Sequence, residues 1–122
     1  MSWKYSQKTG ALLSPAGTYV GNGYSGRGAG LNNPLQQNVA DVGPIPQGEW
    51  AIGHFFDDPG GKGPIVADLT PAAAETFGRS GFMVHGDNGA ANHTASEGCV
   101  ILPRGLRQMV MASDDRSLIV TE

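Results

Sequence analysis

Residues 1–20, MSWKYSQKTG ALLSPAGTYV, fall into short apolar bursts separated by turn clusters. Trp3 and Tyr5 flank Lys4, Lys8-Thr9-Gly10 makes a turn, Ala11–Leu13 follows, Ser14-Pro15-Ala16-Gly17 turns again, and Thr18–Val20 resumes the pattern. Such runs are too short for a 3.6-residue period and predict a β-meander. The punctuation continues throughout: 19 glycines and 8 prolines make up more than a fifth of the 122 residues, about twice the usual share. Many turns and few long helices are expected.

Working outward, Gly21–Pro34 (GNGYSGRGAGLNNP) reads as an extended loop that passes close to another part of the chain. Gly43–Gly48 (GPIPQG) is a turn, and Glu49–Phe56 a strand with Trp50 and Ile52 on one face. Asp57–Gly63 is the next loop. Thr70-Pro71 followed by three alanines, with Gly78 beyond, predicts a short helix. Gly81–His85 predicts a strand, Met83 and His85 facing one way and Phe82 and Val84 the other. A second helix is expected over Pro103–Ala112, with Leu106, Met109 and Val110 at helical spacing, and a last strand over Ser117–Thr121. The expected fold is mainly β with two short helices, in a single domain spanning 1–122.

Composition narrows the function. Hydrophobic residues are 39% and charged residues 16%, with no charge run, which fits a folded chain. The net charge of −3 provides no basic stripe, so nucleic acid is not an expected partner, and a substrate with free amino groups suits the chain better. The lone Cys99 excludes an intramolecular disulfide framework and a multi-cysteine zinc site. No stretch is long and apolar enough for membrane insertion, and the N-terminus has no signal-peptide core, so synthesis in the cytoplasm without a leader is expected. Gly21–Gly26 matches G-x-G-x-x-G, but the glycines and Asn32-Asn33-Pro34 that follow oppose the helix a dinucleotide site needs. Gly60-Gly61-Lys62-Gly63 lacks the Ser/Thr of a phosphate loop and reads as a surface turn.

The chemistry concentrates in residues 81–104, GFMVHGDNGAANHTASEGCVILPR. His85 ends a strand, and Cys99 follows 14 positions later. A thiol attacks carbonyl groups as a thiolate and needs a basic or cationic neighbour to ionise near neutral pH, a part His85 can fill. Gly98 leaves room beside the main chain, and the N–H groups of Gly98 and Cys99 are candidates for an oxyanion hole. Cys99 also has a plain reading, as a small buried hydrophobe leading into Val100-Ile101-Leu102. A metal reading enlists His85, His93, Cys99 and Asp87, although H-x7-H-x5-C matches no common zinc spacing. A wall-binding or interaction module without catalysis is the remaining alternative.

His85-Gly86, a polar loop and then Ser96-Glu97-Gly98-Cys99 resemble the active-site signature of L,D-transpeptidases. Val42–Ile52 resembles that family's Pro-x-Gly-x-aromatic-x-Ile turn and strand. Tyr24-Ser25-Gly26, Gly28, Asn32-Asn33-Pro34, Gly43-Pro44-Ile45-Pro46, Val84-His85-Gly86-Asp87 and Ala95-Ser96-x-Gly98-Cys99, in that order, are similar to the small L,D-transpeptidase-like effectors of type VI secretion systems and their phage-borne relatives. The resemblance implies an L,D-transpeptidase-like catalytic domain on a β-sheet core, with Cys99 as nucleophile, His85 as base and the Gly86 carbonyl fixing the imidazole tautomer. It implies no cofactor.

The implied substrates are peptidoglycan stem tetrapeptides. The acceptor stays open between water (carboxypeptidase), a D-amino acid (exchange) and a stem amine (cross-linking). Export by a secretion machine, action in the target-cell periplasm and a cognate immunity protein are also implied. Ser96, Asp87, Tyr24 and Ser25 become supporting or substrate-binding candidates. The sequence departs from the broader family at Glu97, where histidine is usual, and at Ile101, where Asn or Arg is common. The substrate carboxylate therefore has no assigned partner, and Arg104, Arg79 and Arg27 are candidates.

Overall fold

The turns at Lys8–Gly10 and Ser14–Gly17 fold the N-terminal bursts into β1 (Trp3–Ser6), β2 (Ala11–Leu13) and β3 (Tyr19–Asn22), a meander as expected. The computed structural model describes residues 1–88 and 95–122. The further strands are β4 (Tyr24–Ser25), β5 (Gly48–Ile52), β6 (Phe56–Asp58), β7 (Gly63–Ala74), β8 (Met83–His85), β9 (Val100–Ile101) and β10 (Ser117–Thr121). The sheet order is β3-β2-β1-β10-β5-β7-β8-β9-β4, with β6 paired to β7. β1 lies parallel to β10, so the two ends of the chain share the middle of the sheet.

One short segment, 19–25, supplies both ends of that order, because β3 pairs with β2 while β4 pairs with β9. The sheet therefore curls until it is nearly closed. Its interior holds the main core, with Tyr5, Leu12, Ile45, Trp50, Val84 and Val100 among its buried members. Trp50 and Ile52 face inward together, as the period of two requires. The Gly43–Gly48 turn is held from several sides: Trp50 Nε1 donates to Pro46 O (3.0 Å) and the fully buried Gln7 donates to Ile45 O (2.8 Å).

The helix expected at Thr70–Glu75 does not form. That stretch is the end of the 12-residue β7, paired with β5 through Gly48↔Ala74 and Glu49↔Ala73. Thr-Pro capping and alanine propensity are local signals, and two turns of helix with no apolar stripe have little to bury. Pairing with β5 satisfies the backbone instead, and Pro71 sits beside a register shift where its missing N–H is tolerated. The described residues contain one α-helix, α1 (Arg104–Ala112), and two 3₁₀ turns, Gly28–Gly30 within the Gly21–Pro34 stretch and Pro34–Gln36 at its end. In α1, Leu106 and Val110 face the core, but Arg107 takes the third inward position and Met109 stays exposed.

Candidate active site

β8 and β9 run side by side and parallel, with Val84 opposite Val100 and His85 opposite Ile101. Side chains alternate across each strand. Phe82, Val84 and Val100 therefore enter the main core, while Met83 packs with Tyr24, Cys99 and Ile101 in a second cluster on the other face. His85 shares that face by register, so folding brings the two ends of the 85–99 interval to one side of the sheet. Both His85 and Cys99 line a cleft of about 440 Å³, together with Gly86, Asp87, Gly98 and Lys62.

His85 Nδ1 lies 2.7 Å from Gly86 O. A carbonyl only accepts, so the neutral ring carries its proton on Nδ1 and leaves Nε2 as the basic nitrogen. Nε2 is buried and has no hydrogen-bond partner among the described residues. Cys99 is 9% exposed, and its Sγ is 3.7 Å from Gly81 O. Burial pushes the thiol pKa up from its ordinary value, against the Met83 N–H and the charge of Lys62. Burial pulls the imidazole pKa down, and the Gly86 carbonyl opposes this only in part. Both shifts favour the uncharged forms, the thiol and the neutral imidazole.

The segment before Cys99 is built on two buried serines. Ser96 Oγ donates to Cys99 O (2.6 Å) and accepts from the N–H groups of Gly26 (2.8 Å) and Gly98 (3.1 Å). Ser25 Oγ donates to Gly98 O (3.2 Å) and accepts from the Ile45 N–H (2.8 Å). The Gly98 N–H is therefore engaged inside the turn, which leaves the Cys99 N–H from the amide pair expected to form an oxyanion hole. Removing the Ser96 hydroxyl strands two buried donors. Ser96→Ala is expected to cost about 2 kcal/mol, read as a lower urea midpoint at unchanged slope.

Each of the two glycines beside the pair rests against a buried arginine. A Cβ on Gly98, whose φ is 133°, would lie 2.5 Å from Arg79 Nη2, and one on Gly86 would lie 2.7 Å from Arg107 Nη2. Arg79 stacks on Phe82 and donates to the carbonyls of Gln37, Gly43, Pro44 and Glu97. Arg107 donates to Leu102 O, Pro64 O and Ile65 O. Sequence reasoning missed Arg107 and offered Arg79, with Arg104 and Arg27, as a candidate for the substrate carboxylate. Four carbonyl partners instead make Arg79 a clamp between the Gly43–Pro44 turn and the Cys99 turn. Buried arginines aimed at loop carbonyls have no sequence signature, since their partners lie tens of residues away.

The remaining candidates sit around the cleft. Tyr24 OH donates to Asp87 Oδ1 (2.7 Å) and accepts from the Ala95 N–H (3.2 Å). Burial and the bond to Asp87 push the phenol pKa up to about 12. The hydrogen-bond partner of the imidazole Nδ1 is Gly86 O, not Asp87. Arg104 lies outside the cleft, on the wall of a neighbouring 530 Å³ pocket lined also by Tyr24, Asp87 and Arg107. Arg27 is exposed and pairs with Glu97 at 3.6 Å. Of the metal-ligand candidates, His93 lies outside the described residues, and among those described no group of three or more His, Cys, Asp or Glu side chains is arranged to hold an ion.

A small, nearly closed β-sheet that presents one cysteine and one tautomer-fixed histidine to a shared cleft has the residue set of nucleophilic acyl chemistry. Residues 20–116 match the family model of the Tlde1 domain. The chain belongs to that family of type VI secretion effectors, which are associated with peptidoglycan modification. Comparison with curated proteins returns no match, and neither does comparison with solved structures. Among the described residues no helix is long and apolar enough to cross a membrane.

Proposed function

We propose that this domain is a cysteine L,D-carboxypeptidase or transpeptidase of stem tetrapeptides, delivered as an antibacterial effector into the target-cell periplasm. The observation that carries this reading is the shared cleft, in which His85 Nε2 has no partner among the described residues and Cys99 lies on the same face of the sheet. His85 Nε2 takes the Sγ proton as the sulfur attacks the carbonyl carbon of the third residue. The developing oxyanion is met by the Cys99 N–H. The bond to the terminal D-alanine nitrogen then breaks as the imidazolium returns its proton to the leaving amine, giving a thioester. Water or an amine, deprotonated by His85, attacks that thioester and restores the thiol. Gly86 O holds the ring throughout, so no acidic third member is needed. A cognate immunity protein guarding the producer's own wall belongs to the same reading.

The test is loss of D-alanine from purified tetrapeptide, followed by mass spectrometry with wild type and Cys99→Ala. Only the wild type is expected to produce tripeptide or exchanged product, and equal activity in Cys99→Ala would overturn the mechanism. The pH profile follows from the shift at His85. The working base is unprotonated His85, whose pKa is lowered by burial, so kcat/KM stays level from pH 7 down to the ordinary histidine value of about 6.5 and falls only below it. An acid limb centred above pH 7 would contradict the burial account.

A further inference from the structure

Gly60-Gly61-Lys62-Gly63, which reads as a surface turn in the sequence, is the tip of the β6–β7 hairpin and forms part of the cleft wall. The tip is ordered from below. Asp58 Oδ2 accepts from the Lys62 N–H (2.8 Å), Asp57 Oδ1 accepts from the Ile65 N–H (3.1 Å), and Arg107 Nη1 holds Pro64 O (2.7 Å) and Ile65 O (3.0 Å). Gly61 lies so close to the Asp58 carboxylate that a Cβ there would come within 2.3 Å of it. These contacts fix the backbone at Lys62, whose exposed side chain is the one Lys or Arg among the described residues lining the cleft of His85 and Cys99. The three candidate arginines are disposed of elsewhere: Arg79 by its carbonyls, Arg27 beside Glu97, and Arg104 in the neighbouring pocket. Among the described residues no carboxylate forms an ion pair with Lys62.

Removal of a terminal residue places its carboxylate three bonds from the carbon under attack, so a group that recognises it must stand in the cleft of the nucleophile. We propose that Lys62 receives the C-terminal carboxylate of the scissile D-residue and thereby makes the cleft selective for stem peptides with a free end. This rests on the proposed function and adds to it the feature of substrate that is read and the residue that reads it. A charge-assisted contact to a carboxylate is directional and is lost when the carboxylate becomes an amide of the same shape. The same contact holds the scissile bond at the sulfur without taking part in proton transfer.

The experiment uses the tetrapeptide and its C-terminal amide as probes, with binding measured by calorimetry on the full chain carrying Cys99→Ala, so that it does not depend on turnover. The free acid is expected to bind about tenfold more tightly than the amide. Adding Lys62→Met should remove that preference by weakening the acid alone, and Lys62→Arg should retain most of it. In the Cys99-intact enzyme Lys62→Met should raise KM for the free acid about tenfold with kcat within a factor of about three. Equal binding of acid and amide by the Lys62-containing protein would overturn the proposal, as would a preference that survives Lys62→Met. Wild-type turnover of the tetrapeptide, measured separately, reports on the function itself: turnover with no acid preference defeats the role of Lys62 alone, whereas absence of binding by either probe defeats both.

Discussion

Arg79→Met is expected to lower stability by about 3 kcal/mol and the melting temperature by about 10 °C, and to reduce D-alanine release well below that melting point. The guanidinium stands behind Gly98 and satisfies four loop carbonyls, two of which belong to the Gly43–Pro44 turn and one to Glu97. Methionine fills much of the volume and donates nothing, so buried acceptors lose their partners and the wall behind the Cys99 turn loosens. Arg79→Lys should recover less than half of either loss, because a single ammonium cannot span acceptors that a planar fork reaches together. Thermal melts and activity at 25 °C check this. A lysine variant with full stability and full activity would show that charge, not geometry, is what the site requires.

His85→Gln is expected to reduce kcat/KM about a thousandfold while moving the melting temperature by only a few degrees. The side chain is 2% exposed and its Nε2 has no partner among the described residues, so in the proposed mechanism the replacement removes the base without breaking a hydrogen bond at Nε2. Glutamine fills a similar volume and supplies no basic nitrogen. The acid limb of the pH profile should vanish with the residue. Alkylation of Cys99 by iodoacetamide should be slow at pH 7 and accelerate in alkaline buffer, following a thiol whose pKa burial has raised. A variant that loses activity only in proportion to lost folded protein would mean that His85 is structural.

The placement of Cys99 and His85 in one cleft was legible because it depends on residue type, chain order and a strand period of two, all of which survive without coordinates. The meander, the Gly43–Gly48 turn, the inward Trp50 and Ile52 and the last strand were legible for the same reason. Thr70–Glu75 misled because its capping and alanine signals are local, whereas the partner that decided its state, β5, pairs with it across 19 to 26 positions of sequence. Met109 misled through spacing alone: Arg107 took the inward place because loop carbonyls at Pro64, Ile65 and Leu102 await its donors. Lys62 was invisible as a cleft residue, since only the folding back of the β6–β7 hairpin sets it beside a histidine 23 positions further on.

The most direct measurement is the intact mass of the protein quenched in acid during reaction with tetrapeptide. A thioester on Cys99, equal to the tripeptide acyl group with D-alanine gone, is expected in the wild type, absent from Cys99→Ala and slow to form in His85→Gln. Undiminished product formation by Cys99→Ala, or turnover with the adduct on another residue, would contradict the account.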